Sequence, residues 1–180
     1  KSLRSGSMPL IAIWVGTRSD GLNLCRVEPF SCRRIPHDAG GRAGLANHHV
    51  TSLRAGPAGE LWVATDGGGV HRIEAGARPG DPISRWGAAE GIIDDGIMAV
   101  ERDDDGSLWL STRHGLARLD PVSGRVVNHV PESGLPAMHF NTGASSADTR
   151  YLYFGSVDGL VSLPKGTPLA QRELVIFLAA

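Results

Sequence analysis

Seven histidines, at 37, 48, 49, 71, 114, 129 and 139, and 19 acidic residues are the side chains of this 180-residue chain with the capacity for acid–base or metal chemistry. Zinc sites place ligands at short regular intervals, as in His-x-x-x-His or Cys-x-x-Cys, so that several lone pairs converge on one ion. No such set occurs. The adjacent His48 and His49 precede an apolar run, and neighbouring side chains of an extended segment point to opposite sides. Asp103-Asp104-Asp105-Gly106 superficially resembles a calcium loop, but Thr112 stands where the terminal bidentate carboxylate belongs, so a hairpin turn is the better reading. Nucleophilic catalysis is equally unsupported. There is no Gly-x-Ser-x-Gly elbow, and Ser111 and Ser156 fall at positions that Thr17 and Thr65 occupy elsewhere, which marks them as structural. Asp94-Asp95 could form a carboxylate pair, yet Asn47-His48 takes the same place one repeat earlier. No catalytic residue, metal site or cofactor is expected from these patterns.

The elements that must position these residues come from an internal repeat, which is sought before any local assignment because it changes the whole fold. Trp62-Val63-Ala64-Thr65 recurs as Trp14-Val15-Gly16-Thr17, as Trp109-Leu110-Ser111-Thr112 and, more weakly, as Tyr153-Phe154-Gly155-Ser156. The aromatic anchors Trp14, Trp62, Trp109 and Tyr153 stand 48, 47 and 44 residues apart, and each is followed by a Gly and an apolar residue. Within one repeat, Gly- and Pro-containing clusters separate four apolar runs: Ile97 to Glu101, Ser107 to Thr112, Leu116 to Asp120 and Arg125 to His129. The preceding repeat divides likewise into Val50 to Ala55, Leu61 to Thr65, Val70 to Glu74 and Ile83 to Trp86. The connections of the 97–129 repeat, at 104–106, 113–115 and 121–124, are all hairpin-sized. A four-stranded antiparallel meander at this period is a propeller blade. The expectation is therefore an all-β chain of four such blades. A blade sandwiched between two others is covered on both faces, which explains why Leu61 to Ala64 is apolar throughout instead of alternating.

Composition agrees. The chain is 41% hydrophobic, with 24 Gly and 11 Pro, enough for a sizeable core and many turns. The 18 basic and 19 acidic residues leave a formal net charge of −1, without the basic footprint that nucleic-acid binding requires. No stretch reaches the roughly 18 apolar residues of a membrane span. Cys25 and Cys32 in LCRVEPFSCRR would face each other across two strands if residues 27 to 30 form the loop. Two readings follow: a disulfide, which suits an oxidising compartment, or two free thiols.

The segments VTSLRAGPAGELWVATDGGGVHRIEAG and IMAVERDDDGSLWLSTRHGLARLDPVSGRVV resemble the two-component regulator propeller repeat, whose pattern is an apolar strand, Asp-x-x-Gly, Leu-Trp-Val-Gly-Thr, then Gly-Leu-x-Arg-apolar-Asp. Residues 134 to 164 look like the last repeat of such an array, and the resemblance covers roughly residues 11 to 164. It implies a non-catalytic, ligand-binding sensor segment of a bacterial signal-transduction protein, located in the periplasm or outside the cytoplasm. The histidine kinase or diguanylate cyclase output would lie outside this chain, since none of its motifs is present here. Two alternatives stand beside it: a propeller enzyme such as a lyase, and a protein-interaction scaffold.

The expected organisation is a vector-derived or disordered leader at 1–8 and blades at 9–46, 47–93, 94–136 and 137–168, with an exit segment at 169–180. The first blade lacks its leading strand. The resemblance implies that these blades belong to a larger, seven-bladed propeller; four repeats do not fill such a ring, so their outer faces call for further blades, self-association or closure as a small ring. In propellers, ligands usually sit on the face built from the loops that enter the first strand and those that join the second to the third. Those loops offer Arg18, Asp20, Asn47, His48, His49, Asp66, Asp94, Asp95, Arg113, His114, His139, Asn141 and Asp158. The set is polar and mixed in charge, and by family analogy suits a polar small molecule or carbohydrate.

Overall fold

The computed structural model describes residues 12–40, 42–130 and 139–167. The expected leader at 1–8 and exit segment at 169–180 lie outside the described residues. The chain forms four antiparallel sheets in sequence order. The first holds β1 (Ala12–Gly16), β2 (Leu22–Arg26) and β3 (Ser31–Arg34). The second holds β4 (Val50–Ala55), β5 (Leu61–Thr65), β6 (Gly69–Ile73) and β7 (Ser84–Trp86). The third holds β8 (Ile97–Arg102), β9 (Leu108–Thr112), β10 (Leu116–Leu119) and β11 (Val126–His129). The fourth holds β12 (Phe140–Ala147), β13 (Tyr151–Ser156) and β14 (Gly159–Pro164). A single 3-10 turn, Ala88–Glu90, interrupts this all-β arrangement among the described residues.

Each sheet is a meander of neighbouring strands, as the short glycine-bearing turns require. The strands of the middle sheets begin and end within a residue of the runs read from the sequence. Stacking follows from side-chain alternation. On β5, Leu61 and Val63 join Leu22, Ile35, Leu45 and Ile73 in a core shared with the first sheet. The opposite set, Trp62 and Ala64, joins Ile97, Val100, Leu108 and Leu110 in a core shared with the third sheet. Trp109 repeats this one sheet further on, with Met98, Leu116, Phe140, Leu152 and Phe154. Trp14, Trp62 and Trp109 therefore each face the next sheet, filling the wedge between blades.

Complete coverage holds only for the middle sheets. Every residue of β5 and of β9 is buried, whereas β13 alternates between half-buried and buried and β1 is largely exposed. The physical reason is that the first and fourth sheets have a described neighbour on one face only. Ile13 is 46% and Val15 37% exposed, while their register equivalents Leu61 and Val63 are 7% and 0%.

The leading strands β4, β8 and β12 are stitched side by side by polar groups. Thr51 Oγ1 donates to the Ile97 carbonyl at 2.6 Å, and Ser145 Oγ donates to Glu101 at 2.8 Å. Glu101 is buried and also paired with Arg54, which supplies the cation that a desolvated carboxylate needs. Cys25 and Cys32 are register partners on β2 and β3 and are joined by a disulfide.

Candidate functional site

The site grows out of the two turns read as functional, at one end of the second and third sheets. The residue that follows the conserved-in-repeat threonine is Asp66 after β5 and Arg113 after β9. The residues that enter the leading strands are Asn47 to His49 before β4 and Asp94 to Gly96 before β8. Both entry segments take the same local form: Asn47 Oδ1 accepts the His49 N–H at 2.8 Å, and Asp94 Oδ1 accepts the Gly96 N–H at 2.8 Å. This fixes where the side chains of His49 and Asp94 can project and leaves Gly96 between them.

Glycines then let the two loops touch. The Asp95 carbonyl accepts the N–H groups of Gly67 at 3.1 Å and Gly69 at 2.8 Å, so the turn of the second sheet docks on the entry segment of the third. Gly69 has φ of +78°, and a Cβ there would lie 2.3 Å from the Trp86 carbonyl oxygen, which excludes any other residue. Arg85 on β7 locks the joint, with Nε donating to the Gly68 carbonyl at 2.8 Å and the guanidinium pairing with Asp95 at 3.0 Å.

Five of the polar side chains read from the sequence converge across this joint. Arg113 pairs with Asp66 at 2.7 Å, and His49 Nδ1 lies 3.4 Å from the same carboxylate. His114 Nδ1 lies 2.8 Å from Asp94. Both pairs meet over Gly96: a Cβ placed there would stand 3.3 Å from Asp66 Oδ1, 3.3 Å from Asp94 Oδ1 and 3.4 Å from an Arg113 terminal nitrogen. A bare backbone thus stands between the two carboxylates and the guanidinium. The cluster offers carboxylate acceptors beside guanidinium and imidazole nitrogens, the set that hydroxyl-rich or amide-bearing ligands can satisfy in both directions. Arg113 and His114 are more than half exposed, and surface pairs of this kind contribute only about 0 to 1 kcal/mol, so exchanging them for ligand contacts costs little.

The other expected residues lie apart from the cluster. His48 stacks on His37 with ring centroids 4.2 Å apart, while Asp20 pairs with Arg34 at 2.8 Å. Asn47 is spent on holding the entry turn. No side-chain hydrogen bond or ion pair ties Arg18, His139, Asn141 or Asp158 to the cluster among the described residues. Sequence reasoning overlooked Arg85 and Gly96. Arg85 sits on a short outer strand with no motif, and the value of Gly96 appears only once the two carboxylates flank it. His71, buried between sheets, accepts the Ala46 N–H at Nε2 (3.0 Å), and burial with the nearby Arg85 charge pushes its pKa down to about 4. Its role is to hold the 46–49 segment. Among the described residues no group of three or more His, Cys, Asp or Glu is placed to hold a metal ion, and no helix is long and apolar enough to cross a membrane.

Sheets of three and four meandering strands, packed face to face with leading strands adjacent, define this chain as blades of a β-propeller. No protein-family model matches it, and no curated protein matches it in sequence. Solved structures do share the fold. The extracellular domain assigned to the hybrid two component system BT3049 from B. thetaiotaomicron superposes with a TM-score of 0.73 at 18% identity, over 97% of this chain and 25% of that one. The corresponding domain of BT4673 from the same organism gives 0.70 at 15% identity, over 92% and 22%. PorZ, a bacterial surface component of the type-IX secretion system of Porphyromonas gingivalis, gives 0.56 at 14% identity, over 93% and 25%. The chain spans about a quarter of the length of these structures, so its blades correspond to part of a larger propeller.

Proposed function

We propose that the chain is a non-catalytic, ligand-sensing segment of an extracytoplasmic bacterial signalling protein, with the output in another part of the polypeptide. The observation that carries this is the convergence of His49, Asp66, Asp94, Arg113 and His114 over Gly96, from loops of two blades. A ligand bridging such a joint stabilises one relative setting of the blades, which is what a sensor must convert into a signal. The likeness to extracellular domains of two-component systems supports the same reading, as does the Cys25–Cys32 disulfide, a bond at home in oxidising compartments. The ligand class is a polar small molecule such as a carbohydrate fragment. The further blades that complete a seven-bladed ring, and a kinase or cyclase output, belong to this proposal as well.

Calorimetric titration of a glycan and metabolite panel tests it. A binder whose affinity falls about tenfold in Asp94→Asn or Arg113→Gln is the expected result, the loss of one charge-assisted hydrogen bond. Silence from the whole panel, with this chain and with a polypeptide that carries all the blades, would favour a scaffolding role.

A further inference from the structure

The first sheet departs from the two middle sheets at one register position. Opposite Trp62 and Trp109 the next strand carries an arginine, Arg72 and Arg118, whose guanidinium lies 5.7 Å and 5.1 Å from the tryptophan ring centroid. Opposite Trp14 stands Leu24. The wedge between the first and second sheets therefore lacks its built-in cation, and it is open: a cleft of about 580 Å³ runs between them. One wall carries Trp14, Leu24, Arg26 and Arg33, and the other Arg78 and Pro79. Register places Trp14, Leu24 and Arg33 in one cross-strand row and Arg26 on the same face. Since β2 ends at Arg26 and β6 ends at Ile73, the cleft opens at the end of the sheets opposite the Asp66–Arg113 rim.

Its charges are uncompensated. Among the described residues Arg26, Arg33 and Arg78 have no carboxylate within ion-pair distance of their side chains. Of the acids of the second wall, Glu74 pairs with Arg72 at 3.1 Å, and Asp81 caps the backbone N–H of Arg78 at 2.7 Å without pairing with its guanidinium. Arg34, beside Arg33, is neutralised by Asp20 on the other face of the sheet. Three guanidinium groups around an apolar floor repel one another until an anion enters, and their planar forks match carboxylates two bonds at a time. The indole of Trp14 and the side chain of Leu24 offer a flat apolar surface for a ring.

We propose that this cleft binds a small planar-ring anion bearing two or three carboxylates, at a site separate from the rim described above and independent of its function. The test is isothermal titration of this chain, at fixed ionic strength, with benzene-1,3,5-tricarboxylate, citrate and inorganic pyrophosphate. The ring tricarboxylate binds one to one and more tightly than the other two. Arg33→Gln with Arg78→Gln, both at exposed positions, weakens it about tenfold or more, whereas the charge-matched pair Arg125→Gln with Arg150→Gln leaves it unchanged. Trp14→Leu weakens the ring compound and spares citrate. No heat with the ring tricarboxylate, equal losses in both arginine pairs, or binding of all three anions in proportion to charge alone would each overturn the assignment.

Discussion

Trp62 is 2% exposed and packed against Trp86 at 5.5 Å between ring centroids, so truncating it opens a large hole in the wedge between the second and third sheets. Trp62→Ala is expected to destabilise the chain by about 3 to 5 kcal/mol in denaturant titration. Trp109 adds a polar tie, donating from Nε1 to Asp103 at 3.1 Å. His71 sets the pH response. Its folded pKa of about 4 lies below the ordinary 6.5, so at pH above 6.5 both folded and unfolded forms are neutral and stability is complete. As pH falls from 6.5 toward 4 the unfolded chain takes up the proton first, and stability declines by about 3 kcal/mol in total. Burial holds His129 below its usual range as well, with the same sign. Melting temperature measured from pH 7 to pH 4 should fall, and His71→Gln should flatten that slope.

At the scale of the strand, register and position in the stack decide what a residue is worth. Val63 on β5 and Val15 on β1 occupy equivalent places, yet one is fully buried and the other 37% exposed. Val63→Ala should cost about 2 kcal/mol, and Val15→Ala less than about 0.5 kcal/mol, in the same denaturation experiment on this chain. The Cys25–Cys32 bridge closes a short loop, with a sequence separation of 7. By chain entropy its reduction should lower stability by about 2 kcal/mol, and intact mass before and after reduction under denaturing conditions should differ by two hydrogens. Strand limits, hairpin turns and the facing cysteines were legible in the sequence because each depends on residues within about ten positions of one another, where turn chemistry and alternation act. The alternation seen in β13 was not, because it reflects how many neighbours a sheet has and not its own residues.

Across the whole molecule, the rim cluster joins residues far apart in the chain, with Asp66 and Arg113 separated by 47 positions, one repeat. That interval turns equivalent positions on adjacent blades into partners, and a site built this way couples ligand binding to blade packing. A ligand found by the panel should therefore raise the melting temperature of the wild type and lose that effect in Arg113→Gln, with little change in the unliganded protein because the Arg113 side chain is half exposed. The loop residues that could contribute were readable as a set, but which five converge was not. His48 was drawn away by His37 and Asp20 by Arg34, neither of which any local pattern signals. The three arginines of the cleft were equally silent, since Arg78 reaches Arg26 and Arg33 only through the stacking of two sheets.

By itself the amino-acid sequence determined the repeat, the strands and their meander, because hydrophobic period and glycine placement act over short spans of chain. Only the tertiary structure decided which polar residues meet over Gly96, which apolar faces are covered and where cations are left without partners. Those outcomes depend on distances between side chains brought together by packing, and identical local patterns acquire different surroundings at different places in the stack.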